Sequence, residues 1–321
     1  MNTEHTRPFS LFASLALVVV LLFATPAHAE DAAIQAPMAT KSLLLDIQRV
    51  DNTLIAVGEW GHILISEDDG KTWLQAQVPS RTTLTSVAFF DRQHGLVVGH
   101  DQMILRTTDG GKSWQKVYED IEAEQPLFDV LYRDAEHAFA IGAYGAFLET
   151  LDGGESWDYR PISEEDMHLN QIVADDNRLF IAAEAGTLYR SDDDGGSWEI
   201  LAPPYGGSFF GALPLGNNSL LLFGLRGNLF RSEDAGDTWE KLDSGTEASL
   251  TNSLKLADGT LVITGLGGVL LTSNDAGETF SLHQQSDRKG FAALVEIADG
   301  TLVSVGEGGI KRLSRDSLSR P

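Results

Sequence analysis

Six carboxylates recur in one setting: Asp68, Asp109, Asp152, Asp193, Asp234 and Asp275. Each precedes a Gly by two residues, a Ser or Thr by four and a Trp or Phe by five, as in Ser66 to Trp73 and Thr107 to Trp114. Aspartates on a glycine turn could hold calcium or do general acid–base chemistry. Gly70-Lys71-Thr72 and Gly111-Lys112-Ser113 echo the end of a phosphate-binding loop, but neither has the further Gly that such a loop needs five residues upstream. The chain has no Cys, so thiolate metal sites, disulfides and thiol nucleophiles are absent. His62, His94, His100, His137, His168 and His283 are not at ligand spacing from one another, and neither His-Glu-x-x-His nor Gly-x-Ser-x-Gly occurs. No metal and no cofactor is expected.

The spacing of the octets gives the carboxylates a different job. Their closing aromatics, Trp73, Trp114, Trp157, Trp198, Trp239 and Phe280, stand 41, 43, 41, 41 and 41 residues apart. A small-x-x-Gly turn precedes each octet, starting at Gly58, Gly99, Gly142, Ala183, Gly224 and Gly265, and recurs at Gly306 without an octet after it. That makes seven units. Each reads as four short strands rich in β-branched and aromatic residues, bounded by Gly, Asn and Asp. In the fifth these are 209–214, 220–224, 228–232 and 238–242. Four strands repeating every forty-odd residues define an all-β, seven-bladed β-propeller. Each octet then sits on the turn between third and fourth strands. Its Asp accepts backbone N–H groups, its Gly permits positive φ, and its aromatic tucks between blades. Repeated at one turn, these aspartates maintain the fold. Gln102 and Ala183 replace glycines of the second and fourth small-x-x-Gly turns, so those turns are expected to differ in shape. Counting back 26 residues from Gly58 reaches Ala32, as counting back 26 from Gly265 reaches Trp239. Residues 32–35 are therefore expected to supply the fourth strand of the last blade and close the ring.

Strands that alternate direction put the octets on one face and the small-x-x-Gly turns on the other, with the blade-to-blade loops. The turn tips differ from blade to blade, so the fold does not dictate them. Candidate binding residues there are Trp60, His100, Asp101, Tyr144, Glu184 and Arg226, joined by Arg81, Arg288 and Lys289 from interblade loops. Trp60 is either a partner anchor or a lid over the channel. Residues 119–124 and 163–166 are strongly acidic, so this face is expected to be polarised in charge.

Composition narrows the partners. Lys and Arg number 23 against 47 Asp and Glu, a formal charge of −24, which excludes a general affinity for nucleic acid or anionic lipid. The 32 glycines suit a chain built of turns. Leu11 to Phe23 is almost unbroken apolar and is followed by Thr25-Pro26 and a small-residue site at Ala27-His28-Ala29. Residues 1–29 read as a secretory signal peptide cleaved after Ala29, and 30–321 as a single propeller domain, periplasmic or secreted. The mature chain is expected to be a monomer that does not insert into the membrane.

The octets resemble the Asp-box repeats of bacterial sialidases, sortilin-like receptors and xyloglucan-cleaving glycosidases. Seven blades, a leader and the hydrophobic-Gly-x-x-Gly-x-hydrophobic-x-x-Ser-x-Asp pattern more specifically resemble the photosystem II stability and assembly factor family, over about Ala32 to Leu313. That resemblance implies an exported, non-enzymatic factor whose client is a membrane-associated or exported protein. It also implies an arginine-rich binding patch, of which the turn face here carries only Arg81, Arg226, Arg288 and Lys289. The competing expectation is a glycoside hydrolase of sialidase or xyloglucanase type. Tyr144 with Glu59 or Glu184 could then serve as a nucleophile pair, but the three-Arg cluster of sialidases is not evident.

Overall fold

The computed structural model describes residues 32–318, so the leader expected over 1–29 lies outside the described residues. Seven antiparallel sheets follow one another around a ring, and no helix among the described residues is long and apolar enough to cross a membrane. Blade one comprises Leu44–Val50, Thr53–Gly58, Ile63–Ser66 and Leu74–Gln75. Blade five comprises Phe209–Gly216, Ser219–Gly224, Leu229–Ser232 and Glu240–Leu242, within two residues of the sequence expectation at each end. The first strands of neighbouring blades contact one another all the way round, so they form the channel wall. Second strands such as Gly95–Gly99, Ala138–Gly142 and Leu261–Gly265 are buried along their whole length, because blades cover both of their faces.

Each Asp box seals its blade onto the one before it. In blade one, Asp68 Oδ1 accepts the Thr72 N–H at 2.8 Å and the Ser66 hydroxyl at 2.9 Å, while Oδ2 accepts the Thr72 hydroxyl at 2.7 Å. The other five boxes repeat that pattern. Hydrogen bonds from Thr72, Ser156 and Ser197 hold Asp68, Asp152 and Asp193 down to about 2, and the box carboxylates are ionised across the neutral range. The box aromatics pack where expected: Trp114 between blades one and two, Trp157 between two and three, and Trp198 between three and four. Arginines of one blade clamp the box of the next. Arg106 Nε donates to Gly153 O at 2.8 Å, Arg190 to Ala235 O at 3.1 Å, and Arg312 to Asp69 O across the ring closure.

Closure differs from the expectation. The last sheet contains three strands, Phe291–Glu296, Leu302–Gly306 and Lys311–Leu313, and residues 32–36 do not pair with it. They run beside residues 75–81 of blade one instead. Ala33 N donates to Val78 O at 2.9 Å, and the Gln75 side chain bonds both Ile34 O and Ala36 N. The side-chain amide of Gln75 thus satisfies backbone groups that a strand partner would have taken. The ring closes by packing, with Leu44, Ile47 and Trp73 of blade one against Val295, Val303 and Val305 of blade seven. Where blade seven lacks a box aromatic, Leu318 from the short turn Arg315–Leu318 enters the core between blades six and seven. Arg315 anchors that turn to Asp258 and Glu296.

The turns at Gln102 and Ala183 keep the common shape. Gly99 N donates to Met103 O and Ala183 N to Thr187 O, as Gly58 N does to His62 O. Gln102 adopts φ 47 in place of a glycine, and its buried amide donates to Gln125 Oε1 at 2.7 Å, which pins it there.

Because the aromatics carry the interblade seal, Trp157→Ala should cost about 3–5 kcal/mol in urea unfolding. A loss below about 1 kcal/mol would contradict the packing described here.

Candidate functional site

A β-bulge interrupts the pairing of the first two strands in all seven blades, directly after a buried Leu or Phe. A bulge lets consecutive side chains reach the same region, here a central cavity of about 680 Å³. The bulge residues alternate in character around the ring. Even blades carry Thr85, Asn170 and Thr251, and odd blades carry Leu45, Phe128, Phe210 and Ala292. The polar members are committed to the wall. Thr85 donates to Leu127 O at 2.7 Å, Asn170 to Phe209 O at 2.8 Å, and Thr251 to Phe291 O at 3.0 Å, each on the next blade. Among the bulge residues, that leaves the apolar members, with Leu43 and Leu266 at the rim, free to meet a ligand.

The next position inward holds two carboxyls. Asp46 Oδ2 accepts Val87 N at 2.9 Å, and Asp129 Oδ2 accepts Ile172 N at 2.9 Å, so each ties its blade to a neighbour. The Ser86 hydroxyl lies 2.8 Å from Asp129 Oδ1 and 3.1 Å from Asp46 Oδ2. Both carboxyls open to the channel yet are surrounded by protein. Burial raises Asp46, and burial together with the Asp46 charge pushes Asp129 up to about 7.

Above the channel mouth, the tips take left-handed backbone at residues that carry a Cβ: φ is 60 at Trp60, 58 at Asp101, 53 at Tyr144, 55 at Ala185 and 56 at Arg226. Each such position is unfavourable by roughly 1 kcal/mol or more for a non-glycine residue. The turn closure imposes it, through His62 N to Glu59 O and its equivalents, and the next residue, Gly61, has no room for a Cβ because Ser80 O would lie 2.1 Å away. Trp60 is 64 % exposed and Tyr144 52 %, so neither is a lid packed over the channel.

The nine candidate residues all lie on the turn face or its loops, but none lines the cavity. Several hold structure. Asp101 Oδ2 accepts the Thr82 hydroxyl at 3.1 Å, Glu184 accepts His168 N at 2.9 Å, and Arg81 donates to Ala32 O at 2.8 Å. His168 packs 4.7 Å from the Tyr144 ring, placing Tyr144 and Glu184 around one imidazole. His100, Arg226, Arg288 and Lys289 are exposed around the periphery. The channel residues were missed because a two-residue strand period does not reveal a bulge. Their signal was blade-to-blade variation just after the invariably large first residue of each unit.

One face locked by boxes and an opposite face carrying an open, largely apolar mouth define an Asp-box propeller built around a central cavity. A family model described as photosynthesis system II assembly factor YCF48 matches residues 66–126 and 115–319, and the chain belongs to that family. Over 61 residues it is 36 % identical to the chloroplastic photosystem II stability/assembly factor HCF136 of Cyanidioschyzon merolae, which is 18 % of this chain and 14 % of that protein. Over 53 residues it is 38 % identical to the photosystem II assembly lipoprotein Ycf48 of Prochlorococcus marinus, 16 % of each protein. The matched stretches thus span less than a fifth of these relatives' own lengths. Among solved structures, YCF48 bound to a D1 peptide superposes with TM-score 0.70 at 21 % identity, covering 88 % of this chain and 94 % of that one. YCF48 from Cyanidioschyzon merolae superposes with TM-score 0.70 at 16 % identity, covering 89 % and 99 %.

The raised Asp129 makes a signed prediction. Its folded-state value near 7 exceeds the unfolded value of 3.8, so its favourable contribution is complete below about pH 4 and is lost as pH rises through 7. Asp129→Asn should therefore flatten the fall in melting temperature between about pH 4 and pH 7. Parallel wild-type and variant curves would contradict the assignment.

Proposed function

We propose that this chain is an exported, non-catalytic assembly factor, periplasmic or secreted, that holds a segment of a membrane-associated or exported client protein at the mouth of its central channel. The observation that carries this reading is the mouth itself. Leu45, Phe128 and Phe210 line it, while Leu43, Trp60, Tyr144 and Leu266 stand exposed around it. Exposed aromatics beside an apolar depression are the composition of a protein-binding hot spot. Family membership supports an assembly role, and the related YCF48 was solved with a peptide of D1. The apolar run from Leu11 to Phe23 supports export.

The glycosidase reading gains nothing from the geometry. Glu59 and Glu184 accept backbone N–H groups of Leu43 and His168, and Arg106, Arg190 and Arg312 bind box carbonyls on the opposite face. The two glutamates and three arginines that a glycosidase reading would call on are thus engaged with the chain's own backbone, which supports binding over cleavage.

Crosslinking and capture from the native compartment should recover a client with the wild-type chain. Recovery should fall severalfold with Trp60→Ala combined with Tyr144→Ala, and stay unchanged with Glu278→Ala on the box face. Equal recovery by all three would place the binding surface elsewhere. Fluorogenic sialosides and xyloglucan oligosaccharides should remain intact, and their turnover would overturn the non-catalytic assignment.

A further inference from the structure

The cavity has a charge character that its apolar rim conceals. Asp46, Asp129 and Glu307 line it, and among the described residues no Lys, Arg or His does. Glu307 is engaged with Gly290 N at 3.0 Å, which leaves the two aspartates as the acidic groups of the deeper wall. A carboxylate offers about four acceptor positions. Asp46 accepts Ile47 N and Val87 N, Asp129 accepts Val130 N and Ile172 N, and the two share the Ser86 hydroxyl, so each keeps at least one position open.

The bridge between them is short of one hydrogen. Ser86 has a single hydroxyl proton and lies within hydrogen-bond distance of both carboxyls. One of the two contacts uses that proton, and the other sets an acceptor against an acceptor unless one acid is itself protonated. Among the described residues no cation faces the pair; the groups that act on it are Ser86, backbone N–H donors and the other aspartate. An arriving cation would supply both the missing donors and the missing positive charge.

Resting on the mouth as the client site, we propose that the channel accepts a lysine or arginine side chain of an otherwise apolar client segment. The cationic head reaches Asp46 and Asp129, and the aliphatic stem lies among Leu45, Phe128 and Phe210. Such side chains pair an apolar stem with a charged tip, which matches the order of rim and wall. Binding releases the shared proton to solvent, because a cation beside two carboxyls favours their ionised forms.

The test uses short acetylated, amidated peptides of leucine and alanine that differ only in a central lysine, norleucine or glutamate. Calorimetry in buffers of different protonation enthalpy reads affinity and proton release together. At about pH 7 the lysine peptide should bind at least roughly tenfold more tightly than either of the others, as a charge-assisted bond in a desolvated site would give, and release roughly half a proton, because Asp129 titrates near 7. Its advantage should shrink as pH falls towards about 5, where Asp129 keeps its proton. Asp129→Asn and Asp46→Asn, each checked for an intact melting transition, should abolish the preference for lysine while leaving norleucine-peptide binding in place. Equal binding of all three peptides, or a preference that survives both variants, would overturn the cation site and leave the mouth as a client surface. No binding by any peptide would likewise overturn it, while the mouth itself is judged separately by the Trp60 and Tyr144 capture.

Discussion

The seal between each Asp box and the preceding blade is the constraint on which the rest of the molecule depends. A box turn has several backbone N–H groups to satisfy, and one carboxylate with a Ser or Thr at either end satisfies them. The same turn delivers an aromatic into the interblade core and offers carbonyls to an arginine of the neighbouring blade. Six repeats of that device lock one face of the ring. The opposite face is left free to differ from blade to blade, and the channel opens there.

Composition takes a new meaning from this arrangement. Fourteen of the 47 acidic residues lie in the octets, on the face away from the mouth; six of them hold their own turns, while Glu155, Asp194 and Asp237 pair with arginines of the preceding blade. Arg106, Arg160, Arg190 and Arg312 are bound to box backbone, which is why so few cations remain for the turn face. The net charge of −24 is therefore mostly a property of scaffold and surface.

The blades were readable in the sequence because one turn problem is solved repeatedly, and the residues that solve it, Asp68 and Trp73 with their equivalents, leave a period. Closure was not readable in the same way. Residues 32–36 fall in phase with the repeat, but Gln75 captures their backbone, and phase carries no information about a side-chain amide. Leu318 likewise replaces a box aromatic through a turn that has no counterpart in the other blades. At the candidate site, the exposed tips at Trp60 and Tyr144 were visible as variable positions on a fixed turn. Asp46, Phe128 and Asp129 were not, because the bulge that turns them to the channel breaks the alternation from which a strand face is read.

Membership in the YCF48 family and an apolar mouth on the unlocked face both support the proposal that the ring presents one surface to another protein. Placing a photoactivatable crosslinking residue at Tyr144 on the mouth, and separately at Asp237 on the box face, measures that directly in the native compartment. Covalent adducts with a client from position 144 and none from position 237 are what this account requires. Adducts from 237 alone would show that the locked face is the working one and contradict it.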